Sequence, residues 1–200
     1  YYSNLASRCT PTPLEIIDGK AYYDGVEIAE IGINANVNTV IRPNEYFVKL
    51  QARGSRDKRA VVNMAWGYGG KDFKNAKETK PYLGPKFWCP NIQYSYDGNN
   101  YKVYRYADAI LMLAECYCEK GNDTEAIKYL NMVKQRAGIA AYENFSSFDE
   151  LTVEIRTERG RELAGEFMRK YDLVRWGIWY DQTYNYTNYA KLKDKMKPCH

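Results

Sequence analysis

Apolar positions recur at helical spacing from about residue 101 onward, and nowhere so regularly before it. Tyr106, Ile110, Leu113, Ala114 and Tyr117 share one helical stripe, and Leu111 and Cys118 widen it, so this helix is expected to be buried on most sides. Gly121 stops it. Asn122 with Glu125 three residues on has capping-box spacing, and Ala126, Leu130, Val133 and Ala137 mark a second amphipathic helix ending at Gly138. Two helices joined by so short a turn pack antiparallel. Ser147, followed by Glu150, caps a third helix. At 100° per residue, Phe148, Leu151, Ile155, Arg159, Glu162, Glu166, Arg169, Leu173 and Trp176 fall on one stripe about 100° wide. That stripe is apolar at both ends and ionic in the middle. A neutral set of Arg159, Glu162, Glu166 and Arg169 where a helix normally buries apolar side chains points to a partly buried ion network.

Residues 1–100 are irregular, with Gly, Pro and Asn scattered among short apolar runs. Val26, Ile28, Ile31 and Ile33 hint at a short strand, as do residues 46–50. Residues 66–71, WGYGGK, read as a flexible loop without the full phosphate-cradling pattern, and residues 96–100 read as a tight turn. Asp97 and Asn99 begin a calcium-loop pattern whose later acidic ligands are missing. The expected organisation is a loop-rich region, 1–103, packed on a helical region, 104–200. Together these are expected to form one C-terminal part of a larger chain.

Composition removes several function classes. The chain has 200 residues, and its 29 basic and 25 acidic residues leave a formal charge of +4 spread along the sequence. That is too weak and mixed for a nucleic-acid footprint. The longest apolar run, residues 109–114, is far short of a membrane span. The opening residues carry no export signal, so the protein is expected to be cytosolic or to have its signal elsewhere in a longer chain. Five cysteines lack paired zinc spacing, and Cys116 and Cys118 lie about 200° apart on a helix. The single histidine is His200. No metal or cofactor site is expected. Twenty tyrosines, four tryptophans and six phenylalanines are the unusual resource, because such rings stack on the apolar faces of sugars.

The spacing of Ala114, Tyr117, Gly121, Ala126 and Leu130 is that of a tetratricopeptide unit, without its first-helix Trp or closing Pro. One such unit cannot bury both of its faces, so it needs neighbours.

Two segments resemble the SusD/RagB-like family of outer-membrane nutrient-binding lipoproteins of Bacteroidetes. One is YRYADAILMLAECYCEKGN, residues 104–122, followed by EAIKYLNMVKQRAGI. The other runs through Glu158, Arg159, Glu162, Leu163, Glu166, Arg169, Asp172, Leu173, Arg175, Trp176 and Gly177. Earlier residues match loosely, through Asp57-x-Arg59. The chain departs from the family's common Glu-Gly-x-Arg, reading Glu166, Phe167, Met168, Arg169. The resemblance implies a mostly α, SusD-like fold with a tetratricopeptide-like hairpin, further helices, a loop-rich region and short strands. It implies non-enzymatic, surface-exposed binding of a glycan or oligopeptide at the outer membrane. It also implies delivery to a SusC-like TonB-dependent transporter, with membrane attachment through a lipid anchor outside this stretch. The alternative reading is a tetratricopeptide-type protein-interaction module without sugar affinity.

Glu158, Glu162 and Glu166 have the spacing of paired carboxylates for glycoside hydrolysis or a metal. Arg159, Arg161 and Arg169 surround them and favour permanent ionisation, the wrong direction for a general acid. Arg105 and Asp108 read as structural, with Asp108 at the positive end of its helix. No Gly-x-Ser-x-Gly occurs, and enzyme activity is not expected. The ligand-binding candidates are Trp66 and Tyr68 beside their glycines, then Tyr22 and Tyr23. Trp88 and Trp176 sit beside apparent core elements.

Overall fold

The computed structural model describes the backbone of residues 14–17, 20–23 and 26–27, and residues 43–68, 71–72, 76–77, 79–84, 86, 103–143, 145–186, 193 and 195–197. It is mostly helical, with seven helices and short antiparallel strands among the described residues. It divides into two compact units, Tyr1–Glu162 and Leu163–His200. The boundary expected after residue 103 lies inside the first unit.

In the first unit, β1 (Leu14–Ile17), β2 (Lys20–Tyr23) and β3 (Val26–Glu27) form a three-stranded antiparallel sheet. Tyr22 sits opposite Glu15 and Glu27, and Tyr23 opposite Leu14 and Val26. The strand expected at residues 46–50 is instead helix α1 (Glu45–Leu50). Local chemistry decides this: the Asn44 side chain accepts from the Phe47 N–H at 2.9 Å, and Lys49 reaches back to Glu45 at 3.2 Å. A short helix α2 (Ala60–Asn63) leads into β4 (Met64–Ala65), which pairs with β7 (Tyr82–Leu83). Between them, β5 (Gly67–Tyr68) and β6 (Lys71–Asp72) form a hairpin where the sequence suggests only a loop. Gly84 follows β7 and donates to Asn63 O at 2.9 Å. A β-carbon there would lie 2.5 Å from Val62 O, so this crossing requires glycine.

Helices α3 (Tyr106–Glu119) and α4 (Asp123–Arg136) form the expected antiparallel hairpin. Gly121 takes φ 70°, and the N–H groups of Gly121 and Asn122 donate to Cys118 O and Tyr117 O, both at 2.9 Å. This is a Schellman end, and α4 repeats it at Gly138, φ 75°, through Gln135 O and Lys134 O. Helix α5 (Phe148–Glu162) packs against both, and Ser147 Oγ accepts from the Glu150 N–H at 3.2 Å. Ala114 and Ala126 are fully buried, which lets α3 and α4 approach closely around Leu111, Leu130, Leu151 and Ile155.

The charged stripe does not continue along one helix. Helix α5 stops at Glu162, and Gly165 (φ 72°) and Phe167 (φ 60°) turn the chain before α6 (Arg169–Arg175) begins. Two left-handed residues so close together end any shared stripe. The second unit therefore holds Glu166 and Arg169, along with α6 and α7 (Trp179–Tyr186). Helix α6 also closes on a Schellman glycine, Gly177, whose N–H donates to Val174 O at 3.0 Å.

Candidate functional site

The densest chemistry in the first unit is a buried ion network, assembled on the face of α5 that the sequence reads as ionic. Its centre is Arg59, just before α2. The guanidinium forks onto Asp57, with Nε to Oδ1 and Nη2 to Oδ2 both at 2.9 Å. Its Nη1 reaches Glu158 Oε1 at 2.7 Å and Glu162 Oε2 at 3.0 Å on α5. Asp57 also accepts from Gln51 Nε2 at 2.8 Å, and Asn63 Nδ2 donates to Gln51 Oε1 at 2.8 Å and to Arg161 O at 3.0 Å. Gln51, Asp57, Arg59, Asn63, Glu158 and Glu162 are all buried, so each hydrogen bond among them offsets a desolvation cost.

Glu162 closes α5. Its carboxylate accepts from Arg105 Nη1 at 3.0 Å and from Arg136 Nη2, while its backbone carbonyl accepts from Arg105 Nη2 and Lys86 Nζ, each at 3.0 Å. Side-chain cations thus complete the helix end, where the partial negative charge of the dipole collects. Burial pushes the Glu162 carboxyl up. The nearby Arg136, Arg105 and Arg59 guanidiniums outweigh that and hold it at about 2. For Arg59, burial works against the charge, but hydrogen bonding to Asp57 and the field of Glu158 prevail and raise its pKa further. A carboxylate held ionised in this way is fitted to bind cations of its own chain, not to deliver protons.

Arg159 is 2% exposed, and its Nη1 lies 2.9 Å from Asp108 Oδ1 in the first turn of α3. The angle there is too poor for a hydrogen bond to that oxygen; the same nitrogen donates to Asp108 O at 3.4 Å. The partners of Arg159 and Glu162 thus come from other elements. The Asp57-x-Arg59 spacing was the signal available for Arg59; nothing periodic marks Gln51, Asn63 or Arg136, since their partners are far away in sequence.

Trp66, which the sequence places on a loop, is 7% exposed and packs with Val48 and Met64. The Arg53 guanidinium carbon stands 5.4 Å over its ring. The side chains of Tyr22, Tyr23 and Tyr68 lie outside the described residues, as do Trp88, Asp97 and Asn99. In the second unit, Glu166 is buried, and Arg169 stands 5.4 Å over Trp176, which Arg175 also covers at 4.9 Å. Arg175 Nε and Nη2 donate to buried Asp172 Oδ1 at 3.0 and 2.9 Å. Phe167 occupies the position where the resembled family reads glycine, in the left-handed conformation that glycine adopts freely. A side chain there costs roughly 1–2 kcal/mol.

The chain belongs to the SusD family, a family of non-catalytic binding proteins whose model matches residues 34–198. Two SusD-like proteins of Formosa agariphila are similar to it, one 37% identical over 131 residues and the other 35% identical over 98. These matches take in 62% and 45% of this chain, and it spans only 24% and 20% of those proteins. Among solved structures, a SusD superfamily protein of Bacteroides vulgatus aligns with a TM-score of 0.60 at 25% identity, covering 74% of this chain and 36% of that one. A SusD homolog of Bacteroides thetaiotaomicron aligns with a TM-score of 0.54 at 34% identity, covering 71% and 30%.

Proposed function

We propose that this chain is part of a non-enzymatic, surface-exposed binding protein that captures a glycan at the outer membrane and hands it to a SusC-like TonB-dependent transporter. Membership of the SusD family carries this reading. The chemistry of α5 supports it, since its carboxylates neutralise arginines and Glu162 is held at about 2, opposite to the shift a glycosidase acid needs. Attachment would come through a lipid anchor outside the described stretch. In the loop-rich region, Tyr22, Tyr23 and Tyr68 are the proposed stacking residues, while Trp66, just before β5, is buried with Val48 and Met64. A glycan array with the wild-type chain and Tyr22→Ala, Tyr23→Ala and Tyr68→Ala variants tests this. Loss of glycan signal with an unchanged melt is the expected outcome. A folded wild-type chain that binds no glycan would sink the reading.

A protein-interaction role for the hairpin is the second reading, and one observation favours it. Tyr106, Ala109, Met112, Leu113 and Cys116 are exposed along successive turns of α3, an apolar face where a surface helix usually carries charge. Co-purification with the transporter, abolished by Met112→Glu but indifferent to the tyrosine variants, would favour this role.

A further inference from the structure

We infer that the exposed face of α3 is an internal packing surface, covered by a helical segment of the same polypeptide that lies outside these 200 residues. Such an occupant does not depend on the proposed glycan capture, and it takes the place that the second reading gives to the transporter.

The two helices of the hairpin differ on their outer sides. On α4 the exposed positions are Thr124, Lys128, Met132, Gln135 and Arg136, a polar mixture suited to water. On α3 they are Tyr106, Ala109, Met112, Leu113 and Cys116, and exposed charge returns only at Glu119 and Lys120. Tyr106 is 77% exposed, Met112 41% and Leu113 38%. At 100° per residue this face is centred opposite the one that buries Ala107, Leu111, Ala114 and Cys118. Ala109, a single methyl in the middle of it, allows another helix to come close.

Stacked helical hairpins contact only their neighbours, and a terminal one keeps a polar outer face so that the stack stays in water. Helix α5 packs against both α3 and α4 and so closes one side of this hairpin. The opposite side of α3 is apolar, which is the character of an inner unit and not of a terminal one. The lengths of its relatives leave ample chain to cover it: this chain spans 24% and 20% of the two SusD-like proteins, so most of each lies outside the shared stretch.

Size also favours an occupant tethered by the chain itself. From Tyr106 to Cys116 the stripe is about 15 Å long. A stable contact between separate proteins takes roughly 20 to 30 residues a side. A tethered partner needs far less, since linkage sets a high effective concentration.

Thiol accessibility in the complete polypeptide, purified without the transporter, provides the test. Cys116 is the reporter, alkylated with iodoacetamide in native buffer and in urea and followed by peptide mass spectrometry. It should react about a hundredfold more slowly in the folded polypeptide, at every protein concentration. Ala109→Arg, which crowds the proposed contact, should raise the native rate about tenfold, and Leu113→Lys serves if that variant does not fold. Protection of wild-type Cys116 below about tenfold overturns the inference, as does a native polypeptide no longer than these 200 residues. Protection that fades on dilution makes the occupant a second copy, and protection that appears only when the transporter is added returns the face to the transporter. Either result also overturns it.

Discussion

Arg59 Nη1 and Glu158 Oε1 meet at 2.7 Å although 99 positions separate them in the chain. The contact joins the loop-rich region to the third helix of the scaffold, in a place from which water is excluded. Removing one member of such a pair leaves a buried charge uncompensated, which typically costs about 3–5 kcal/mol. Arg59→Ala should therefore lower the melting temperature strongly. Arg59→Lys should recover little of the loss, because a lysine restores the charge but cannot fork onto Asp57 while reaching α5. Thermal melts of the two variants check this, and an unchanged Arg59→Ala melt would contradict a buried network.

Arg159 gives an independent measure. It pairs with Asp108 on α3. Arg159→Ala should destabilise by roughly 3–5 kcal/mol. The double variant with Arg59→Ala, read by urea denaturation, shows whether the two pairs act as one unit: losses that simply add would mean they do not.

Acid should weaken the fold through Glu162. Its folded pKa of about 2 lies below the ordinary 4.5, so the unfolded chain binds the proton more tightly. The stabilisation is complete above pH 4.5 and disappears as pH falls through about 2, amounting to roughly 3 kcal/mol. Denaturant titrations between pH 5 and about 2 should show this slope. Glu162→Gln should flatten it and lower the stability at neutral pH.

Two glycines separate crowding from backbone strain. Gly84→Ala forces a β-carbon to 2.5 Å from Val62 O, in the backbone, and should cost well over 2 kcal/mol or abolish folding. Gly121→Ala meets nothing within 4 Å and should cost only the left-handed penalty, about 1 kcal/mol. Comparable losses would mean the close crossing at Gly84 relaxes easily.

The helical scaffold was largely legible in the sequence, because its signals are local. Gly121, Asn122, Gly138 and Ser147 stand next to the backbone groups they satisfy, and the 3.6-residue period of α3 and α4 is read from neighbouring residues. The α5 stripe was legible only to Glu162. Past that point the period continues in the letters, but φ at Gly165 and Phe167 breaks the helix, and Phe167 gives no sign of it by residue type. Residues 46–50 show the reverse error: a short apolar run suggested a strand, and a cap at Asn44 chose a helix. Trp66 looked displayed because glycines follow it, yet its burial depends on Val48 and Met64, which no local pattern connects to it. The reach of Arg59 to Glu158 and Glu162 was invisible for the same reason, whereas its partner Asp57 stands two residues away.

The end of α5 carries a consequence for how the chain folds. Glu162 is gripped by side chains 26, 57, 76 and 103 residues away, from Arg136, Arg105, Lys86 and Arg59. The α3–α4 hairpin needs only short-range closure, whereas the last turn of α5 waits for the longest loop in this set to close. We expect φ-values near zero for Arg59 and substantially higher ones for Leu130, the nucleus lying in the hairpin. Chain scission between residues 86 and 105 would turn a folding problem into an assembly problem, because two of the four grips would then have to arrive by diffusion.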